Sequence, residues 1–108
     1  MKSDAIIIVS VTWPNHKKAE KAVQILVEEK LVACAQLIES ITSYYFWHNK
    51  LTKDIECLSL LKTRSVLYKK LEKRVKELHS YEVPEIIACP IIKGAPDYLH
   101  WVSQNTKE

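Results

Sequence analysis

The chain has 108 residues, 47% of them apolar and 27% charged, a balance that fits one globular domain over residues 1–108 and excludes a disordered tail. Its single glycine, Gly94, excludes the glycine-rich loops that cradle dinucleotides or nucleoside phosphates, since these need backbone without Cβ. Sixteen Lys+Arg against thirteen Asp+Glu leave +3, too mild an excess for a dedicated nucleic-acid binder, and it sits largely in residues 69–77.

Residues 5–11 (Ala-Ile-Ile-Ile-Val-Ser-Val) are short and β-branched, which predicts a strand buried on both faces. Pro14 stops it and Asn15 is an N-cap for a helix over 16–30. Ala19, Ala22, Val23, Leu26 and Val27 form that helix's apolar stripe, with Lys17, Lys18 and Lys21 mostly off it and Lys30 closing the last turn. Residues 31–47 return to strand character but are too many for one uninterrupted strand, so a bulge or bend is expected near Glu39-Ser40. Tyr44-Tyr45-Phe46-Trp47 lead into a hairpin turn at His48-Asn49-Lys50, and residues 51–63 supply the partner strand.

A second helix is predicted over 65–79, with Ser65 as N-cap, Leu67, Leu71, Val75 and Leu78 as its buried stripe, and the lysine-rich 69–77 stretch as a solvated face. Pro84 opens a strand over 85–92. Pro90 has no amide to donate, which puts this strand at an edge or gives it a bulge. Residues 97–106 close the chain as a short helix. The order is β-α-β-β-α-β plus a terminal helix, an α+β, ferredoxin-like arrangement with one antiparallel sheet, two helices on one face and a long central hairpin. Those helices cover only one sheet face, yet the strands carry apolar residues for both. Association of identical chains, with the Tyr44–Trp47 hairpin reaching into a neighbour, resolves the surplus. The alternative is that residues 98–106 fold over the open face of their own chain.

Cys34, Cys57 and Cys89 are odd in number, widely spaced and set in apolar segments, so buried free thiols in a reducing cytosol are expected. Lys2 is followed by an apolar run reaching only Val9, which is too short for a secretory leader, and no run of about 18 apolar residues offers a membrane span. The reading is therefore cytoplasmic. No GxSxG elbow or HExxH pair is present, so the chain is not read as an enzyme. The stretch His79-Ser80-Tyr81-Glu82-Val83-Pro84-Glu85 gathers an imidazole, a phenol and two carboxylates beside prolyl backbone. It suits a small polar ligand or a divalent metal with His79 and Glu85 as ligands; the alternatives are a hydrogen-bonded connector that orients the last strand, or a general base at His79 oriented by Glu85. Lys62 either pairs with Glu85 or an incoming anion, or marks where a strand meets water.

Several stretches resemble the CutA family of divalent-cation tolerance proteins: Glu29-Lys30-Leu31-Val32-Ala33-Cys34-Ala35, Ser43-Tyr44-Tyr45-Phe46-Trp47, Glu56, Leu61-Lys62-Thr63, residues 79–86, and Asp97-Tyr98-Leu99 with Trp101. The resemblance runs from Ile7 to about Val102. It implies a tight homotrimer related in architecture to the PII signalling trimers, a role in the response to metal ions, and a divalent cation such as copper as the sole cofactor. It also implies a cleft between subunits, for a metal ion or small anionic ligand, at Trp47, Glu56, Lys62, Tyr81 and Trp101, with His79 and Glu85 as metal ligands. No nucleic acid partner is implied. Two departures stand out. His48-Asn49 replaces the family's usual Glu-Gly after the tip tryptophan, and Val11 and Leu78 stand where a cysteine and a histidine serve as ligands elsewhere.

Overall fold

In the computed structural model, which describes residues 5–108, the β-branched run forms β1 (Ile6–Trp13) and ends where Pro14 withholds an amide. Lys2, part of the leader reading, lies outside the described residues. Asn15 caps α1 (His16–Glu28), its side-chain oxygen accepting the Lys18 amide at 2.9 Å. Ala19, Ala22, Val23 and Leu26 are buried, whereas Val27 sits exposed at the stripe's margin. The helix stops short of Lys30, because Lys30 turns left-handed at φ 59°. The Lys30 and Leu31 amides then bond back to the Val27 and Leu26 carbonyls at 3.0 and 3.1 Å, a Schellman closure.

β2 (Cys34–Trp47) and β3 (Lys50–Arg64) form the long hairpin. The register of β2 slips between Ile38 and Ile41, where Glu39-Ser40 was expected to bend it. His48 and Asn49 both take positive φ, 52° and 63°, the backbone a two-residue hairpin turn needs to match strand twist. A 3-10 turn (Ser65–Leu67) carries the chain into α2 (Tyr68–Leu78). Ser65 does not cap this helix, because the 3-10 turn moves the helix start on to Leu67. β4 (Ile86–Pro90) is shorter than the 85–92 span expected, and α3 (Pro96–Gln104) starts on a proline, whose fixed φ suits a first helical turn.

The strands form one four-stranded antiparallel sheet in the order β2-β3-β1-β4, so the two helical crossovers interleave as the element order predicts. β4 is an edge strand, which is why Pro90 is tolerated. Side chains alternate across the sheet. Val9, Val11 and Trp13 of β1, with their β3 partners Leu61, Ser59 and Cys57, turn toward α1 and α2 and pack with Leu26, Leu71 and Val75. The opposite face carries Ile8, Leu58 and Leu60, half-buried, with Ile38 and Ile87 exposed. β1 is thus not equally buried on both faces. α3 covers one end of this open face, where Ile6, Arg64, Val102 and Thr106 are buried and Arg64 Nε donates to Thr106 Oγ1 at 2.9 Å. The three thiols are free, but only Cys57 is buried. Cys34 is half-buried and Cys89 exposed, because an edge strand turns Cys89 to the uncovered side.

β1 pairs with β3 only as far as the Trp13–Cys57 couple. Beyond it, Ile41–Trp47 and Lys50–Glu56 run on as a bare two-stranded ribbon, which stretches the molecule to 49 Å along its long axis.

Candidate functional site

The segment between α2 and β4 leaves the helix layer at His79 and passes around the end of β1. His79 stacks on Trp13, ring centroids 4.4 Å apart and planes 15° off parallel. Its two ring nitrogens are both in use. The Tyr81 amide donates to Nδ1 at 3.1 Å, which leaves the proton on Nε2, and Nε2 donates to the Thr12 carbonyl at 2.6 Å. Trp13 is anchored in turn: its Nε1–H donates to Ser59 Oγ at 2.9 Å, and that hydroxyl donates to the Val11 carbonyl at 3.2 Å. Burial lowers the His79 pKa below its ordinary 6.5, the Thr12 carbonyl and Glu56 oppose that shift, and Lys18 adds to it. The imidazole is therefore held neutral.

Two residues on, the Tyr81 hydroxyl donates to Glu56 Oε2 at 2.8 Å, where β3 runs past the end of β1. Burial, then this carboxylate, push the phenol pKa well above its usual range. Glu56 is 8% exposed. Two residues back along β3, the Tyr45 hydroxyl donates to Asp54. Glu56, His79 and Tyr81 thus form one cluster. Glu85 belongs to the same segment but is exposed and carries no contact that would join it to His79.

The other residues nominated from sequence lie elsewhere. Lys62 lies on the open face, its ammonium donating to Gln36 across the β2–β3 pair. It does not meet Glu85. Trp101 is on α3, stacked against Tyr98 with centroids 5.8 Å apart, and Tyr98 in turn lies against Cys34, the cross-strand partner of Lys62. Trp47 is at the ribbon tip, 62% exposed, edge-on to His48. Lys50, the partner of Trp47, lies six residue steps along β3 from Glu56, and Glu56 six more from Lys62, about 20 Å each way. A single chain therefore offers three separate stations along one strand. Among the described residues no group of three or more His, Cys, Asp and Glu side chains converges as a metal cage would require.

Sequence reading missed two features. Nothing in the sequence beside Pro14 marks Trp13, yet it is the pivot for His79. The second is a cleft of about 490 Å³ between α1 and the end of α2, lined by Trp13, Pro14, three lysines of α1, Ile25 and Leu78. The i, i+4 spacing of Lys17 and Lys21 was the available signal, but helical spacing alone does not reveal what faces it.

Residues 7–105 match the family model of the CutA1 divalent ion tolerance protein. The chain is 46% identical over 97 residues to Protein CutA of Mus musculus, an alignment covering 90% of this chain and 55% of that one, so it spans about half that relative's length. It is 43% identical over 103 residues to the divalent-cation tolerance protein CutA of Pyrococcus horikoshii, covering 95% of this chain and 100% of that one. The crystal structure of CutA1 from Oryza sativa superposes with a TM-score of 0.95 at 39% identity, covering 97% of this chain and 96% of the other.

Proposed function

This chain belongs to the CutA1 family of divalent ion tolerance proteins, and on that premise we propose that it acts as a trimer whose subunit clefts bind a divalent cation or a small anionic ligand. The observation that carries the proposal is the ribbon. A two-stranded hairpin with no third strand is marginal in water. This one also exposes Phe46 at 73%, Leu51 at 68% and Ile55 at 66%, each Å² forgoing about 25 cal/mol of burial. Neighbouring copies would pair with it and cover Ile38 and Ile87 on the open face. They would also bring stations that one chain holds about 20 Å apart against those of another. Trimeric closure is the form the family resemblance implies.

His79 does not fit copper as it stands, because one nitrogen accepts an amide and the other donates to a carbonyl. Glu56 and Glu85 offer oxygen, which suits harder cations than copper. Lys62 suits an anion, whereas the Tyr81 hydroxyl already gives its one proton to Glu56. Nothing in this reading requires catalysis, and the free thiols suit a reducing compartment such as the cytoplasm. The engaged His79 and the aromatic tip favour one alternative: a PII-like signalling trimer that presents the tip to a protein partner and binds no metal.

Sedimentation of the full chain, followed by calorimetric titration with copper, zinc and small carboxylates or phosphates, tests this. The expected result is a trimer with saturable heat for one of these, weakened at least about tenfold by Glu56→Gln or Lys62→Ala. A trimer giving no heat with any of them favours the alternative; a folded monomer at micromolar concentration overturns both.

A further inference from the structure

The cleft between α1 and the end of α2 lies on the helix-covered side of the sheet, opposite the open face that the proposed trimer uses. We propose that it binds a small organic anion that joins a phosphate or carboxylate head to a flat apolar body. Its volume, about 490 Å³, is of the size that holds small molecules. Its two kinds of lining are separate. Pro14, Ile25 and Leu78, half-buried, give an apolar floor, with the buried Trp13 and Ala22 beneath them. Lys17, Lys18 and Lys21 stand at its border on successive turns of α1, all exposed.

None of these three ammoniums makes an ion pair among the described residues. The carboxylate in the lining, Glu77, is already engaged by Arg74 at 3.2 Å. The cleft therefore keeps an unbalanced positive border over an apolar floor. An ammonium cluster binds phosphate or carboxylate as point charges without fixing a planar geometry, and the floor supplies the discrimination in favour of an apolar body. Trp13 and Pro14 are positioned by the end of β1, and the Asn15 cap fixes the direction in which α1 starts, so the site is pre-formed by the fold. Glu56, Lys62, Glu85 and Trp101 do not line the cleft, although Trp13 also stacks on His79; Lys17 and Lys21 touch none of the subunit-cleft residues, so varying them tests this proposal without disturbing the other.

Phenyl phosphate, titrated into the isotope-labelled full chain and followed by amide and indole resonances, is the test. We expect saturable shifts at residues 17–25, at Ser80 and at the Trp13 indole N–H, with a dissociation constant of about 1 mM or tighter. Inorganic phosphate should bind at least about tenfold more weakly, since it leaves the floor empty. Lys17→Glu combined with Lys21→Glu, both on exposed positions, should weaken phenyl phosphate at least about tenfold while the spectrum keeps its dispersion. If the double variant loses dispersion, Lys17→Gln with Lys21→Gln replaces it and should weaken binding in the same direction. Shifts that stay linear to about 10 mM, equal binding of inorganic phosphate, or undiminished binding by the folded variants would each overturn the proposal.

Discussion

His79 shows how one side chain can be fixed by its surroundings from four directions. Trp13 stacks on it, the Thr12 carbonyl takes its one proton, the Tyr81 amide occupies its other nitrogen, and Lys18 stands near enough to oppose a positive charge. Protonation would set a second N–H against the Tyr81 amide. Because the folded pKa is below the ordinary value of 6.5, the unfolded chain binds more protons in the interval between the two. The neutral imidazole's contribution is whole above that value and is lost as pH falls through it toward the folded pKa. The urea midpoint should therefore fall between pH 7.5 and about pH 5.5. His79→Gln, which cannot charge, should lower stability at the upper pH and remove most of that fall. A slope unchanged by this substitution would assign the effect to other groups.

At the scale of elements, α1 ends on an unusual residue. Lys30 holds the left-handed position of a Schellman closure that glycine normally fills, and Leu31 goes from it straight into the core. A Cβ in that conformation is strained. Lys30→Gly should stabilise the protein by about 0.5–1 kcal/mol, read as a higher midpoint in chemical denaturation, with the backbone bonds of Lys30 retained. The ribbon turn handles the same demand with His48 and Asn49 at positive φ, where Asn pays least among residues with a Cβ. Asn49→Ala should cost the ribbon about 1 kcal/mol. The readout is faster amide exchange over residues 41–56 with the β1–β3 core unchanged, because this end can open without the sheet.

Across the whole molecule, the two sides of the sheet have different fates. One side is closed by α1 and α2 over a core of Val9, Val11, Leu26, Leu61, Leu71 and Val75. The other is closed at one end by α3, through Arg64 and Thr106, and otherwise left with Ile38, Ile87 and the ribbon uncovered. If copies associate through that side, the thermal midpoint should rise with protein concentration. Phe46→Asp with Leu51→Lys, on positions paired across the ribbon, should remove that dependence while the helix-side core stays folded. A midpoint independent of concentration in the parent chain would count against association. No helix among the described residues is long and apolar enough to cross a membrane.

Much of this was legible in residue order. Apolar runs of β-branched residues, the Asn15 cap, the break at Glu39-Ser40 and the Asn49 turn are local signals, and each describes what its own few residues can do. Those signals predict the element order and the long hairpin, and Pro90 narrows its strand to an edge or a bulge, of which the sheet order selects the edge. The helix ends at Lys30 and Ser65 were misread, because both depend on backbone angles that neighbouring contacts select. Only the tertiary structure decided that His79 lies on Trp13 with both nitrogens engaged, that Tyr81 meets Glu56, and that Lys62 stands apart from Glu85. It alone opened a lysine-rimmed cleft beside the Trp13 ring. The reason is that these partners are separated by tens of residues along the chain, and their meeting is fixed by how strands register and helices pack, which periodicity does not encode.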